Sequence, residues 1–129
     1  MKLLTKEIMK KIPSIYSQEN ETDPIIHVKF FFPAGNWTWY ATEASAKVMR
    51  EGSLAEVALS ELREGEKFED VYFFGMVVGQ AAEWGEFALS QLEEVNVAGL
   101  KVERDLHFEP QRYSEAQKTE SYLPKKEFD

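Results

Sequence analysis

The chain contains no cysteine, so several kinds of chemistry are excluded at once. Disulfide bridges, cysteine-ligated zinc or iron–sulfur centres and thiol nucleophiles all need that side chain. No apolar run approaches the roughly 20 residues of a membrane-spanning helix. Charge returns at Lys6 and Glu7, which leaves no room for the apolar core of a secretion signal. These absences predict a cytoplasmic protein that does not contact a membrane.

Motifs for cofactors are missing as well. The sequence has two histidines and contains no glycine-rich phosphate loop, no nucleophile elbow and no metalloprotease helix. Gly75 and Gly79 lie inside a strand pattern, where glycine indicates a bulge or close packing instead of a phosphate cradle. We therefore predict no cofactor and no metal.

What the chain does have is an uneven excess of acid. Its net charge is -8, and residues 13–108 hold 17 acidic against seven basic residues, whereas residues 1–12 are net positive. A negative field repels nucleic acid and favours basic proteins, including surfaces that normally hold DNA. The same charge can also serve only to keep a protein soluble. The sequence thus favours a protein partner, possibly a basic nucleic-acid-binding protein, over direct nucleic-acid binding.

Hydrophobic periodicity predicts an α+β fold with a mainly antiparallel sheet of about five strands. A short N-terminal helix is expected over residues 4–12, with Thr5 as its N-cap and Pro13 ending it. One or two further short helices, one opened by Ser90, should lie with it on one side of the sheet. The predicted strands are residues 25–32, 37–43, 71–78, 84–89 and 100–108, of which the first two form a hairpin.

The same pattern predicts one domain over residues 1–108. Residues 43–70 are acidic and punctuated by Gly52 and Gly65, and they are interpreted as a partly helical insertion. A short strand at residues 57–59 fits that stretch equally well. Apolar residues become sparse in residues 109–129, which are predicted to be a mobile tail or one that docks loosely. Its candidate docking residues are Tyr122, Leu123 and Phe128.

Three tryptophans mark the candidate binding residues. They are interleaved with Thr and Glu, which suits either a core or an exposed recognition surface. Aromatic side chains dominate binding hot spots, and the basic neighbours that base stacking would need are missing. We expect the acids of residues 43–70 to form the rim of such a surface. The candidate binding residues are Trp37, Trp39, Tyr40, Trp84 and Arg104.

The last predicted strand holds a dense ionisable cluster. Alternation places Glu103, Asp105 and His107 on one face, spaced as in paired-carboxylate sites, and Glu83 completes an alternative catalytic set. The same pattern is typical of the solvated face of an antiparallel strand. Arg104 falls on the apolar face, where a guanidinium needs a carboxylate partner. We predict that it lies beside Trp84 and pairs with Glu83 or Glu86.

Several short sequence motifs resemble, in the same order along the chain, those of a bacterial family called domain of unknown function 2958. The resemblance spans roughly residues 3–110 and departs from shorter members around residues 44–70. It implies an accessory protein of mobile DNA, since members are commonly encoded on plasmids, phages and integrative elements, often near anti-restriction genes. It supplies no catalytic residues. The matching motifs are Leu4–Ile8, Val28–Phe31, Asn36–Glu43, Phe73–Gly79, Glu83–Phe87 and Glu103–Phe108.

Two functional hypotheses follow. The first is a non-catalytic acidic binding protein of a mobile genetic element that occupies a basic protein surface and counters a host defence, as an anti-restriction or anti-CRISPR factor does. The second is a small enzyme or ligand-binding domain centred on the last strand. It requires a cleft in which Glu83 meets Arg104, Asp105 and His107.

Overall fold

A computed structural model describes residues 1–128, which form a six-stranded antiparallel sheet, a two-stranded sheet and three short α-helices. The α+β class and the mainly antiparallel sheet are thereby confirmed. In chain order the elements are α1 (Lys6–Lys11), β1 (Ile25–Ile26), β2 (Val28–Phe31), β3 (Thr38–Arg50), β4 (Ser53–Ala58), a 3-10 turn (Leu59–Glu61), β5 (Asp70–Val78), β6 (Ala82–Ala88), α2 (Leu89–Glu94), β7 (Glu103–Arg104), β8 (Gln111–Arg112) and α3 (Tyr113–Ala116). The large sheet has the order β6-β5-β3-β2-β7, and β4 also pairs with β3.

The N-terminal helix begins and ends as its sequence predicts. The Thr5 hydroxyl accepts a hydrogen bond from the Ile8 amide at 3.2 Å, which satisfies one free donor of the first turn. Pro13 follows the last turn, where a proline ring disfavours helical geometry in the residue before it. Ile12 is buried in the core beneath the helix. Local chemistry therefore sets the two ends of α1, and the burial of Ile12 helps to hold the helix on the sheet.

The long strand β3 organises the whole sheet. One edge pairs with β2 over the first half of β3 and with β4 over the second half, while the other edge pairs with β5. A register shift between Ala41 and Glu43 marks a β-bulge. After the bulge, Ala44 and Ala46 face the same core cluster as Trp39 and Ala41 did before it. The extra residue thus changes the parity of the strand and turns Glu43 towards the second face.

The interpretation of residues 43–70 as partly helical is wrong for most of the segment, and the alternative of a strand near residues 57–59 is closer to the structure. Most of the segment is strand: β3 continues to Arg50 and turns through Glu51 and Gly52 into β4. Both turn residues have positive φ, 51° and 81°, which suits the twist of a tight hairpin. Only the 3-10 turn is helical. Alternating small apolar residues bury one face of this hairpin, so the period is two and not 3.6.

The segment after residue 108 is an integral part of the fold, which corrects the expected mobile tail. Strand β8 pairs with β1, and α3 follows it directly. Tyr113 and Leu123 are buried against Tyr40 on the second face of the sheet. Of the three predicted docking residues, Leu123 is buried, Phe128 packs on Tyr113 and Tyr122 is exposed. A few correctly spaced apolar residues suffice to hold the segment.

The last predicted strand is much shorter than expected. Only β7 pairs, with Arg104 opposite Phe30 of β2. The Phe108 amide then donates to the Asp105 carbonyl in a turn, and Leu106 is exposed. The predicted alternation over residues 100–108 therefore fails after Arg104.

Both glycines of the 75–79 pair are closely packed, as predicted, but only Gly75 is packed against backbone. A Cβ atom on Gly75 would lie 1.9 Å from the Tyr40 carbonyl oxygen, beside the bulge. A Cβ atom on Gly79 would lie 2.4 Å from the Trp37 ring. Within residues 1–128, no helix has the length and apolar character needed to cross a membrane.

Candidate functional site

The two faces of the large sheet are covered to different extents. The first face packs against α1, the 3-10 turn and α2. On the second face, the C-terminal segment covers Tyr40 and Met76, while the far half is left open. Directly paired residues share a face, so the register defines the members of this surface, which we call the open face. They include Lys47, Met49, Leu54, Glu56, Tyr72 and Glu86.

The open face combines apolar side chains with acids. Met49 and Leu54 oppose each other at the hairpin end and are 49% and 61% exposed. Glu56 and Glu86 are exposed within the surface, and Glu69 lies at its edge. The single base, Lys47, has its Nζ 5.6 Å from the Tyr72 ring centroid. Exposed apolar groups rimmed by charge are typical of interaction sites.

A salt bridge stiffens the hairpin that carries this surface. Arg50 donates from Nε and Nη2 to the two Glu66 carboxylate oxygens at 3.0 and 2.8 Å. The Arg63 amide also donates to Glu66 Oε1 at 3.0 Å. These bonds, the one from Arg50 first, lower the pKa of Glu66 to about 2. The loop before β5 is thereby fixed to the end of β3.

Next to the open face lies a cleft of about 340 Å³, here called the Trp84 cleft. Phe74, which pairs with Glu86 of the open face, forms part of its wall. Trp84 stacks on Phe74 with ring centroids 6.0 Å apart and planes 9° from parallel, and part of the indole stays exposed. The residues that shape the cleft are Tyr16, Gln18, Thr42, Glu43, Phe74 and Trp84.

Glu43 forms the floor of the Trp84 cleft. It is 3% exposed, and its oxygens accept hydrogen bonds from the Tyr16 amide at 3.0 Å and the Gln18 amide at 2.6 Å. The neighbouring Thr42 hydroxyl donates to the Phe74 carbonyl at 3.1 Å. The bulge in β3 aims Glu43 at this loop, so one carboxylate both positions the cleft wall and carries a charge at its base.

The predicted aromatic contact residues do not form one surface with the acids of residues 43–70. Trp39 and Tyr40 are buried, because they belong to opposite core clusters of the sheet. Trp37 is half-exposed on the first face, where it stacks on Trp39. At roughly 3.3 Å per residue, it lies about 40 Å along β3 from Met49. Of the predicted aromatic set, Trp84 is the one that lines a cleft beside the acidic surface.

The alternative catalytic set is not brought together. Glu83 lies on β6 and Glu103 on β7, at opposite edges of the large sheet. Asp105 accepts from the His107 amide at 2.9 Å and forms a salt bridge with Lys29 at 3.3 Å, while the His107 side chain is exposed.

Arg104 also has a different environment from the one predicted. Its guanidinium donates to the Lys2 carbonyl, and neither Glu83 nor Glu86 is its partner. The reason is strand order: β7 pairs with β2, whereas Trp84 and both glutamates belong to β6. Local alternation cannot reveal which strands become neighbours.

A scan against protein-family models finds no match for this chain, and searches of curated proteins and of solved structures also find none. Across residues 1–128, no group of three His, Asp or Glu side chains is arranged to hold a metal ion.

One polar cluster, formed by residues far apart in the chain, could not be predicted from local sequence patterns. Lys29 forms salt bridges with Asp105 at 3.3 Å and with Glu120 at 2.6 Å, and the Tyr40 hydroxyl donates to Glu120 at 2.9 Å. Burial and the nearby Glu120 carboxylate raise the pKa of Tyr40. Lys29 of β2 and Tyr40 of β3 both contact Glu120 Oε1, so the cluster ties the C-terminal segment to these two strands. Glu120 lies 80 residues from Tyr40, and no sequence signal pointed to it.

Proposed function

We propose that this chain is a non-catalytic acidic binding protein of a mobile genetic element, which docks the open face on a basic protein surface in the cytoplasm. The open face is the observation that carries the proposal. It offers two exposed apolar side chains, Met49 and Leu54, within a mostly acidic surround. Apolar anchors with a charged rim suit protein recognition, and the rim selects a partner of opposite charge.

Charge also supports the choice of partner. Direct binding to DNA or RNA would place acids against phosphates, which electrostatics disfavours. A basic protein that normally holds nucleic acid is complementary to the same surface. The resemblance to a family found near anti-restriction genes supports a counter-defence role, in which the protein competes with DNA for that surface. The dispersal of Glu83, Glu103 and His107 supports binding over catalysis.

A paired genetic and biochemical experiment tests this function. Unmodified phage is plated on a restricting bacterial strain that expresses the wild type, the double variant Met49→Ser/Leu54→Ser, or Leu106→Ser as a control. Leu106 is 62% exposed but lies outside the open face. We expect the wild type and the control to raise plating efficiency and the double variant to lose that effect.

The same proteins are then used to capture partners from the lysate at low salt. The captured protein should be basic, should lose affinity as salt screens the charges, and should bind the double variant about tenfold more weakly. If the double variant protects phage and binds the partner as well as the wild type does, the open face has no such role.

A further inference from the structure

We propose that the Trp84 cleft binds the guanidinium group of an arginine side chain presented by the protein partner; the partner rests on the proposed function, whereas the chemistry of the cleft does not. The cleft volume of about 340 Å³ lies near the lower end of the range for ligand pockets, about 300–1,000 Å³. That space suits one long side chain better than an extended ligand.

The charge of the cleft selects a cation. Glu19 and Glu21 line its rim and Glu43 its floor, against one base, Lys126. The Lys126 Nζ is already engaged: it donates to the Thr22 carbonyl at 2.9 Å and lies over the Phe128 ring.

Glu43 gives the strongest reason for a cationic ligand. Its carboxylate is buried and receives two amide hydrogen bonds, yet no lysine, arginine or histidine within residues 1–128 forms a salt bridge with it. A buried charge is costly unless an opposite charge accompanies it. Each carboxylate oxygen can also accept a further bond. A cation entering the cleft would supply both.

The wall of the cleft favours arginine over lysine. Trp84 and Phe74 lie nearly parallel, Tyr113 packs against the indole with ring centroids 5.7 Å apart, and 39% of Trp84 remains exposed beside the carboxylates. A guanidinium is planar, so it can stack on an aromatic ring while donating hydrogen bonds in its own plane. An ammonium is compact and strongly hydrated, and it gains less from a flat wall. Contact with the exposed part of the indole and ion pairing with the carboxylates together favour a guanidinium.

The position of the cleft connects it to the open face. Phe74 and Tyr72 lie on the same side of β5, and Phe74 pairs with Glu86. A partner resting on the open face can thus extend one side chain past Glu86 into the cleft.

The test uses a capped tripeptide with a central arginine, compared with the lysine and the citrulline peptides. Citrulline keeps the shape of arginine and lacks its charge. Binding is followed by calorimetry and by the NMR signal of the Trp84 indole N–H. We expect the arginine peptide to shift that signal and to bind at least about tenfold more tightly than citrulline, with lysine in between.

Variants localise the binding. Trp84→Leu, Glu19→Gln and Glu43→Gln should each weaken the arginine peptide severalfold, with the largest loss, about tenfold, for Glu43→Gln. Because Glu43 also holds the loop at Tyr16, near-UV circular dichroism checks that each variant keeps its fold. Glu83→Gln is the matched control, because it removes the same charge from β6 at a position on the opposite side of the strand from Trp84. Equal affinity for arginine and citrulline, or unchanged affinity in Trp84→Leu and Glu43→Gln, would overturn the proposal.

The outcomes separate the two proposals. If the arginine peptide binds as expected but partner capture is unchanged when Met49 and Leu54 are substituted, the cleft proposal is supported and the proposed function fails. If capture depends on those residues while arginine and citrulline peptides behave alike, the cleft proposal alone is overturned.

Discussion

Gly75 and Gly85 face each other across β5 and β6, yet only one of them needs to be glycine. A Cβ atom at position 75 would collide with the Tyr40 carbonyl, whereas one at position 85 meets nothing within 4 Å. We expect Gly75→Ala to lower the free energy of unfolding by about 3 kcal/mol, because backbone must move. Gly85→Ala should change it by less than about 1 kcal/mol. Urea denaturation of both variants measures these changes in the free energy of unfolding. Similar decreases in the two variants would show that the bulge does not constrain position 75.

The lowered pKa of Glu66 makes the stability of the folded protein depend on pH. Its pKa of about 2 in the folded protein lies below its ordinary value of 4.5. The stabilisation is therefore complete above pH 4.5 and is lost as pH falls towards 2. Glu66→Gln removes this dependence, so the variant and the wild type should converge in melting temperature as pH falls from 5 to 3. Glu64→Gln, an exposed change in the same loop, should keep the wild-type slope. Parallel pH profiles for wild type and Glu66→Gln would contradict the salt bridge with Arg50.

Among the elements, those whose signals are local were predicted correctly. Thr5 and Pro13 bound α1, the turn before Trp37 joins β2 to β3, and the apolar run of β5 places it inside the sheet. The β3–β4 hairpin was missed because its turn is Glu51–Gly52, without the usual Asn or Asp, and because its core positions are mainly alanines, which are poor strand formers.

That missed turn leads to a stabilising substitution. Glu51 has φ of 51°, a conformation that asparagine adopts more readily than glutamate. Glu51→Asn should raise the free energy of unfolding by about 0.5 kcal/mol. Glu56→Asn removes the same charge at a strand position and should not stabilise. Denaturation curves at matched salt compare the two, and equal shifts would assign the gain to charge.

For the candidate site, the residue types were predictable from the sequence, but which residues come together in space was not. Trp84 was recognised as a possible contact residue, and the acids of residues 43–70 as a possible rim. The pairing of Arg104 with Glu83 was wrong because strand order depends on contacts across the whole chain. Glu43 was not singled out, since its role depends on a bulge that only the register of β3 and β5 reveals.

At the scale of the whole molecule, the C-terminal segment closes the second face. Leu123 is 2% exposed and its neighbour Tyr122 is 57% exposed. Leu123→Ala should cost about 3 kcal/mol through lost burial and a cavity, while Tyr122→Ala should stay within about 0.5 kcal/mol of the wild type. Thermal melts monitored by tryptophan fluorescence measure both. A small effect of Leu123→Ala would mean that the segment is only loosely attached.

The pairing of β1 with β8 also sets an order of events during synthesis. Ile25 is made early and Arg112 late, and the two are direct partners in the small sheet. Until residues 111–123 leave the ribosome, Ile26, Tyr40 and Met76 have no cover, and such transient exposure invites aggregation. A nascent chain that ends at Pro110 and is stalled behind a linker long enough to clear the exit tunnel should therefore be cut readily by protease and bound by chaperones, whereas the full chain behind the same linker should resist both.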